Sequence, residues 1–534
     1  MSNTSSSQPV VFLKPQVKIE PLACRWYAWP YLVAPAQLAL NLAFRILPLL
    51  QSFLSNPSVH INANTDPKMY GGPFMDLGMD DVPAIRKLVD DIRTDAAVLL
   101  RLAQDIKDLD ATLQDKATGF SLHEFYNNLP ASLKGVVECL YDLNQHPRLR
   151  LFEALLYDQN LTAGTQEIVM SQVPERERAF FMSTPYVDAD DNIIFKMRFN
   201  DPRLDRLARM RTEAGSFDEM ATLFAVPDHK LPLFREFFSE TPPQTNGAQN
   251  YVGDAVRVRY FGHACVLLQT DGVSILVDPT LAFDQADDGR FTFADLPERI
   301  DYVVLTHDHH DHFCIEVLIQ LRSRIGQIIV PHNNTGALVD PSMKLVLQDI
   351  GFSNVVALDP MEQVAVPDGR IVSLPFMGEH ADLDIFTKQA LLIGLKGRQF
   401  MFLVDSDCRD PVLYRNIMQR FGPVNALFIG MECNGAPLTW LYEPLMGKPV
   451  NRRNNESRRL SGANCERATH VLREIKAPHV YVYAMGQEPW MKYLMGLEYT
   501  PDAIQLTESS KFVAQCQAEG LVAERFFGSK EILY

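Results

Sequence analysis

Four side chains that could bind metal fall inside one six-residue stretch: His307, His309, Asp311 and His312. The chain holds 13 histidines in 534 residues, and four of them lie between positions 307 and 312. If the backbone is still extended at His307 and His309, their side chains share one side, because strand side chains alternate. Asp311 and His312 then face a second position. The pattern H-x-H-x-D-H therefore offers two ligands to each of two ions, which suits a two-metal site with ions about 3.5–4 Å apart. Asp308 and His310 occupy the intervening positions. They are expected to support ligands or to meet solvent.

Such a loop needs a stiff frame. The apolar run at 302–305 predicts a buried strand before it, and residues 313–321 predict a helix after it. Alternation at 255–260 predicts a half-buried strand, and residues 266–269 and 274–277, joined through Thr270-Asp-Gly272, predict a hairpin. Further strands are predicted at 327–330, 354–358, 364–366, 371–374, 390–395, 400–404, 426–429 and 480–483. Many strands with helices between them predict an α/β fold of stacked sheets sandwiched by helices.

Upstream the chemistry thins out. Residues 1–20 read as a tail entering an extended segment at 10–13, and the aromatic cluster at 24–30 reads as core or dimer contact. The apolar stretch 36–50, interrupted by Arg45 and Pro48, predicts a packed helix too short for a membrane span. A long helix is expected over 82–114, more helix over 132–142 and 149–157, strands at 179–184 and 192–199, and a basic surface helix over 203–211. No catalytic constellation occurs in residues 1–240. The breaker-rich segment 240–250 predicts a linker, dividing the chain into an accessory or dimerisation domain of α+β type, 1–245, and a catalytic domain, 246–534.

A chain of this length is expected to hold two domains. Its 47% hydrophobic and 22% charged residues are ordinary for a soluble protein, and its net charge of −16 argues against nucleic-acid binding. Eight cysteines without paired spacing, and an N-terminus without a cleavable signal pattern, point to a cytoplasmic protein with reduced thiols. Cys314 and Cys408 flank the loop but have no activating base beside them, so core or lining positions are expected for both.

With the motifs Gly262-His-Ala264, Val277-Asp-Pro279, Thr306 to His312, Gly378-Glu-His380 and Val404-Asp-Ser406, residues 255–490 resemble the metallo-β-lactamase fold. That resemblance implies Asp278 as a residue steadying the ligand loop and Asp405 as a carboxylate shared by both metals. It also places His263 at the mouth, as a support or a substrate contact. The chain departs from hydrolytic members in two places. A carboxylate, Glu379, stands beside His380, and after the last strand Ala484 to Trp490 offers only Glu488 where a histidine is usual.

These departures, the length, and the run Gly430 to Trp440 resemble the di-iron β-hydroxylases of the chloramphenicol-biosynthesis type. The resemblance implies a metal set of His307, His309, Asp311, His312, Glu379 and Asp405. His380 is the alternative to Glu379 as ligand. Glu432 is expected to be either an acid beside the metals or an exposed loop residue. The implied activity is O₂-dependent monooxygenation at the β-carbon of an aminoacyl group thioesterified to a nonribosomal peptide synthetase carrier domain, using two irons and an external electron donor. The chemistry agrees: zinc has no redox chemistry, whereas carboxylate-rich di-iron sites activate O₂. A dinuclear zinc hydrolase acting on an ester, lactone or phosphodiester is the alternative, and a non-catalytic scaffold is a third. A homodimer through the apolar residues 22–54 is expected, as is carrier docking on the basic run 447–459.

Overall fold

The computed structural model describes residues 10–245, 249–283 and 289–534. Two seven-stranded sheets face each other at its centre. In the first, strands Val355–Leu358, Ile325–Pro331, Ile300–Val304, Ser274–Val277, Cys265–Gln269, Arg257–Gly262 and Lys530–Leu533 lie in that order. In the second the order is Gln363–Val366, Gly369–Leu374, Ala390–Leu395, Arg398–Phe402, Ala426–Gly430, His479–Tyr483 and Val522–Arg525. Each sheet is antiparallel on one side and parallel on the other.

The alternation read from the sequence decides which face meets which. Val258, Val266, Leu268, Ile275 and Val277 turn into the gap between the sheets and pack with Ile371, Leu391, Ile393 and Phe402. Phe261, Leu267, Leu276 and Val303 turn outward into a second core, which includes helix Ile315–Leu321 and the N-terminal half. Both faces of the central strands are covered, so strands such as Ser274–Val277 and Ala426–Gly430 are buried along their whole length. Helices Pro411–Phe421, Cys465–Ile475 and Ile504–Ala518 pack with the second sheet. The α/β sandwich expected from the motifs is present.

The N-terminal half contains a sheet of Trp26–Tyr27, Lys18–Ala23, Gln166–Ser171 and Asn192–Lys196. It shares a continuous core with the outer face of the first large sheet. A buried charge cluster spans the two halves. Arg178 donates to Glu20 in strand Lys18–Ala23, and to Glu316 Oε2 at 2.8 Å in the helix that follows the histidine loop. Tyr27 and Tyr493 donate to the same Glu316 oxygen at 3.1 and 3.2 Å. Such a cluster is strongly destabilised when one partner is removed.

Several sequence expectations change. The long helix is two, Val82–Asp95 and Ala97–Lys116, because Ala96 leaves helical geometry at φ −106°, ψ 18°. Residues 132–142 and 149–157 are mainly a β-hairpin, Val137–Tyr141 with Pro147–Leu151, followed by helix Glu153–Asp158. Short apolar runs do not distinguish a strand from a helix by periodicity alone. Residues 179–184 form turns, while the strand at Asn192–Lys196 stands. The helix Pro202–Arg209 is present, but Arg211 beyond it is buried, donating to Gln320 Oε1 and to the Val17 carbonyl. The helical run Pro35–Ser55 is, by length and composition, long and apolar enough to cross a membrane, contrary to the expected shortfall. Here Leu38, Leu40, Leu42, Ile46, Leu50 and Phe53 are buried in the protein core. Most apolar side chains of 22–54 are likewise internal, so they form no exposed face for a dimer. Residues 1–9 of the expected tail, and 246–248 of the expected linker, lie outside the described residues.

Candidate metal centre

The histidine loop leaves strand Ile300–Val304 and enters helix Ile315–Leu321. His307, His309, Asp311 and His312 are all buried. Glu379 and Asp405 arrive from the second sheet's side, after strands Gly369–Leu374 and Arg398–Phe402. Thus all six candidate ligands converge.

Their donor atoms form overlapping groups that could each hold an ion. His307, His309 and Glu379 make one, and His307, His312 and Asp405 another; within each, the atoms lie within 4.8 Å of one another. His309 Nδ1 is 2.7 Å from Glu379 Oε1, and His307 Nε2 is 4.0 Å from Glu379 Oε2 and 3.9 Å from Asp405 Oδ2. His312 Nε2 is 2.9 Å from Asp405 Oδ2 and 3.5 Å from Asp311 Oδ2. Asp405 therefore stands between the two halves of the cluster, where a shared carboxylate would be.

The atoms turned inward are short of partners. His307 Nε2 and Asp405 Oδ1 are buried without hydrogen bonds, while His312 Nε2 and Glu379 Oε2 meet only other members of the cluster and its neighbour His380. Buried polar atoms are normally paired, so a group of orphans facing one point fits a metal position. Burial alone disfavours charge on His312, but the negative charges of Asp311 and Asp405 outweigh it and raise its pKa well above normal. The cluster thus stabilises positive charge at its centre. Three carboxylates with three imidazoles form the mixed oxygen and nitrogen donor set that suits non-haem iron.

The surrounding residues hold the ligands in place. Asp278 accepts from Thr306 N at 2.8 Å and from Thr306 Oγ1 at 2.6 Å, and lies 2.9 Å from His312 Nδ1. Thr306 Oγ1 in turn lies 3.0 Å from His307 Nδ1. His263 receives the Gly486 N–H at Nδ1, so its Nε2 donates to Asp311 Oδ2 at 3.1 Å. Glu488 accepts from Tyr260 and from His263 N, steadying that turn away from the metal position. His380 Nδ1 is 2.7 Å from Glu379 Oε2, behind the carboxylate, and its Nε2 is 3.5 Å from Asp308 Oδ1. Asp308 and His310 are both buried, Asp308 accepting from Tyr31 and His310 Nε2 lying 3.0 Å from the Leu494 carbonyl. Cys314 and Cys408 are core thiols, burial pushing each up to about 12.

Backbone strain concentrates here. His263, Asp278, Glu379 and Val404 all take positive φ, at 48°, 39°, 66° and 50°. Such residues persist where packing enforces them, often at functional sites. Gly430 is required by close approach, since a Cβ there would lie 2.6 Å from Asp405 Oδ1.

A cavity of about 600 Å³ opens onto His309, Asp311, Glu379 and Asp405. Glu432 lies in its wall, with Asn434, Trp440, Leu441 and Met495. Desolvation, then the charges of Asp405 and Asp311, pushes the Glu432 carboxyl well above its usual range. Glu432 is therefore a cavity residue, not an exposed loop acid. One wall comes from the N-terminal half: Lys68 to Phe74 line the cavity, and the Trp440 indole donates to the Gly71 carbonyl. That wall, Tyr31 and Tyr442 were not recognised from the sequence. Tyr31 sits in the aromatic cluster read as core, and residues 68–74 carry no motif.

The comparisons with known proteins agree with this geometry. Residues 12–242 match the family described as the di-iron non-haem β-hydroxylase N-terminal domain, and residues 257–381 match a β-lactamase superfamily domain. A 4-amino-L-phenylalanyl-[CmlP-peptidyl-carrier-protein] 3-hydroxylase from Streptomyces venezuelae is 34% identical over 520 residues, covering 96% of this chain and 98% of the relative. The crystal structure of CmlA, a di-iron β-hydroxylase from Streptomyces venezuelae, superposes with a TM-score of 0.91 at 33% identity, covering 99% of this chain and 100% of that one. A metal-dependent hydrolase of Shouchella clausii, by contrast, is 32% identical over 106 residues, or 20% of this chain and 39% of the relative. Similarity over the whole length, with two irons implied by the family and a donor cluster that fits them, supports the β-hydroxylase reading over the hydrolase alternative: the chain belongs to the di-iron β-hydroxylase family.

Proposed function

We propose that this chain hydroxylates the β-carbon of an aminoacyl group carried as a thioester on a peptidyl carrier domain, using O₂ and an external electron donor. The observation that carries this reading is the carboxylate-rich cluster opening on a cavity walled by both halves of the chain. The relative's carrier-bound substrate supports the partner. His307, His309 and Glu379 would hold one iron and Asp311 and His312 the other, with Asp405 between them. Bound iron supplies the redox chemistry that dioxygen activation requires.

The remaining roles belong to the chain itself. Asp278 and His263 orient ligands, so the donor atoms keep their places while substrate enters. We assign Glu379 as the ligand and His380 as its support, because Glu379 Oε1 lies 2.7 Å from His309 Nδ1 and the carboxylate groups with His307 and His309, while His380 Nδ1 lies against Glu379 Oε2. Trp440, Leu441 and Met495 give the cavity apolar walls that keep water from the reacting carbon. Glu432, at the same wall, can hydrogen-bond the reacting group and hold or release a proton. We place the division between the two domains near residue 245. We also assign the protein to the cytoplasm, where its eight unpaired cysteines would stay reduced. With most of residues 22–54 internal, the homodimer we propose would use a surface other than that segment.

Docking would use Lys448, Arg452 and Arg453, all exposed. Arg458 and Arg459 are spoken for: they donate to the Ala381 and Gly435 carbonyls, so reversing their charge would disturb the loop itself. The deciding assay compares one amino acid free and loaded on its carrier domain, under the same reductant and O₂. Preferential turnover of the loaded form is expected. Equal turnover of both forms would overturn the carrier reading.

A further inference from the structure

The cavity sorts its charges by depth. At its buried end stand the acids of the metal position, Asp311, Glu379 and Asp405. Two basic side chains also line it, Lys68 and Arg459. Lys68 is exposed and Arg459 half-buried, so both lie towards the open end. They come from opposite halves of the chain. Arg459 donates Nε to the Gly435 carbonyl at 2.7 Å, which fixes the guanidinium on the rim and leaves its two terminal nitrogens. Among the described residues no carboxylate pairs with either cation. A single surface cation without a partner is ordinary. Here two share the mouth of an acid-floored cavity, in a chain of net charge −16. The rim also continues into the basic surface. Leu438 N donates to the Arg458 carbonyl at 3.0 Å and Leu460 N to the Ala436 carbonyl at 2.8 Å, tying the cavity wall to the chain that leaves helix Arg452–Ser457.

We propose that Lys68 and Arg459 form a phosphate subsite for the root of the carrier arm. The proposal rests on the carrier reading. A carrier domain presents its aminoacyl group on phosphopantetheine. A phosphodiester joins that arm to the carrier, and the thiol at the far end holds the aminoacyl group. The phosphodiester bears a full negative charge at neutral pH. The guanidinium offers paired donors to its oxygens, and the ammonium a point charge. With the anion held between the two cations, the arm runs inward past Asn434 and Gln505, and its thioester end points at the metal position. In the opposite direction the anion would meet the carboxylates of the floor. The order of charges along the cavity therefore sets the direction of entry as well as the affinity.

The test uses the full iron-loaded chain under nitrogen, so that no turnover occurs. Two probes, S-acetyl-phosphopantetheine and S-acetyl-pantetheine, differ only in the phosphate, and titration calorimetry gives each dissociation constant. The wild-type chain is expected to bind the phosphorylated probe about tenfold more tightly, the size of a charge-assisted contact weakened by partial exposure. The gap should narrow as salt is raised. Lys68→Gln replaces an exposed side chain, and Arg459→Gln keeps a donor for the Gly435 carbonyl; each is expected to shrink the preference. Should Arg459→Gln fail to fold, Lys68→Gln carries the test alone. Equal binding of the two probes by the wild type, or an undiminished preference in Lys68→Gln, would overturn the subsite. Equal weakening of both probes in the variants would show a structural role and overturn it as well. Inorganic phosphate alone is the third probe: if it binds as tightly as S-acetyl-phosphopantetheine, the cations form a free-anion site and the arm assignment falls. The comparison of free and carrier-loaded amino acid separates the two readings. Preference for the loaded form without preference for the phosphate sinks the subsite alone, whereas equal turnover of both forms sinks the carrier reading and the subsite with it.

Discussion

Asp278 offers the sharpest test of how the ligand loop is held. Its side chain is fully buried and meets three groups: Thr306 N, Thr306 Oγ1 and His312 Nδ1. Asp278→Ala would leave the Thr306 N–H and the His312 Nδ1–H without acceptors. At about 1–3 kcal/mol for each unsatisfied buried donor, the loss of stability is about 2–6 kcal/mol. Asp278→Asn separates stability from metal binding. Asn has the same shape and tolerates the left-handed backbone that Asp278 adopts at φ 39°. It keeps an acceptor for Thr306 but presents no carboxylate to His312. Loss of such a supporting partner typically costs about 10–100-fold in metal affinity, or about 1.4–2.8 kcal/mol at 1.4 kcal/mol per tenfold. Thermal melts of the metal-free proteins measure the first effect, and iron titration against a competing chelator measures the second. A folded Asp278→Asn chain that binds iron as tightly as the wild type would refute the reasoning, because the loop would then be rigid without its carboxylate anchor.

Other expectations follow from the same geometry. Glu379→Ala should lose one of two irons and hydroxylation, whereas His380→Ala should keep both metals; the reverse result, read by metal analysis, would make His380 the ligand. Arg178→Met leaves Glu20 and Glu316 buried without their cation, and should cost about 3–5 kcal/mol in denaturant unfolding. Gly71→Ala puts a Cβ 2.4 Å from the Gly496 carbonyl oxygen at φ +80°, so it should displace the cavity wall and raise KM while iron content stays unchanged. Cys314 and Cys408, whose thiols burial holds near 12, should resist alkylation at neutral pH until the chain unfolds; rapid labelling of either in the folded protein would contradict their placement.

The sequence by itself determined the strands of the sandwich and the ligand loop. Strand alternation and a dense cluster of histidine and carboxylate are local signals, and His307, His309, Asp311 and His312 need only one turn of chain to be seen together. Glu379 and Asp405 were also legible, because each follows a recognisable strand in a known order. Three things needed the tertiary structure. The first is how two adjacent residues are placed: Glu379 takes a left-handed backbone with its Oε1 2.7 Å from His309, and His380 Nδ1 lies 2.7 Å from its other oxygen. The second is the fate of apolar stretches. Residues 36–50 read as a packed helix and 22–54 as a dimer contact, but the surface that buries them is assembled from distant parts of the chain. The third is the cavity, whose walls come from residues 68–74 and from 432–441, more than 350 positions apart. Periodicity reports the secondary structure of a segment and its buried face. It carries no information about which other segment will cover that face, so Tyr31 beside Asp308 and Tyr442 beside His309 became visible only in the folded chain.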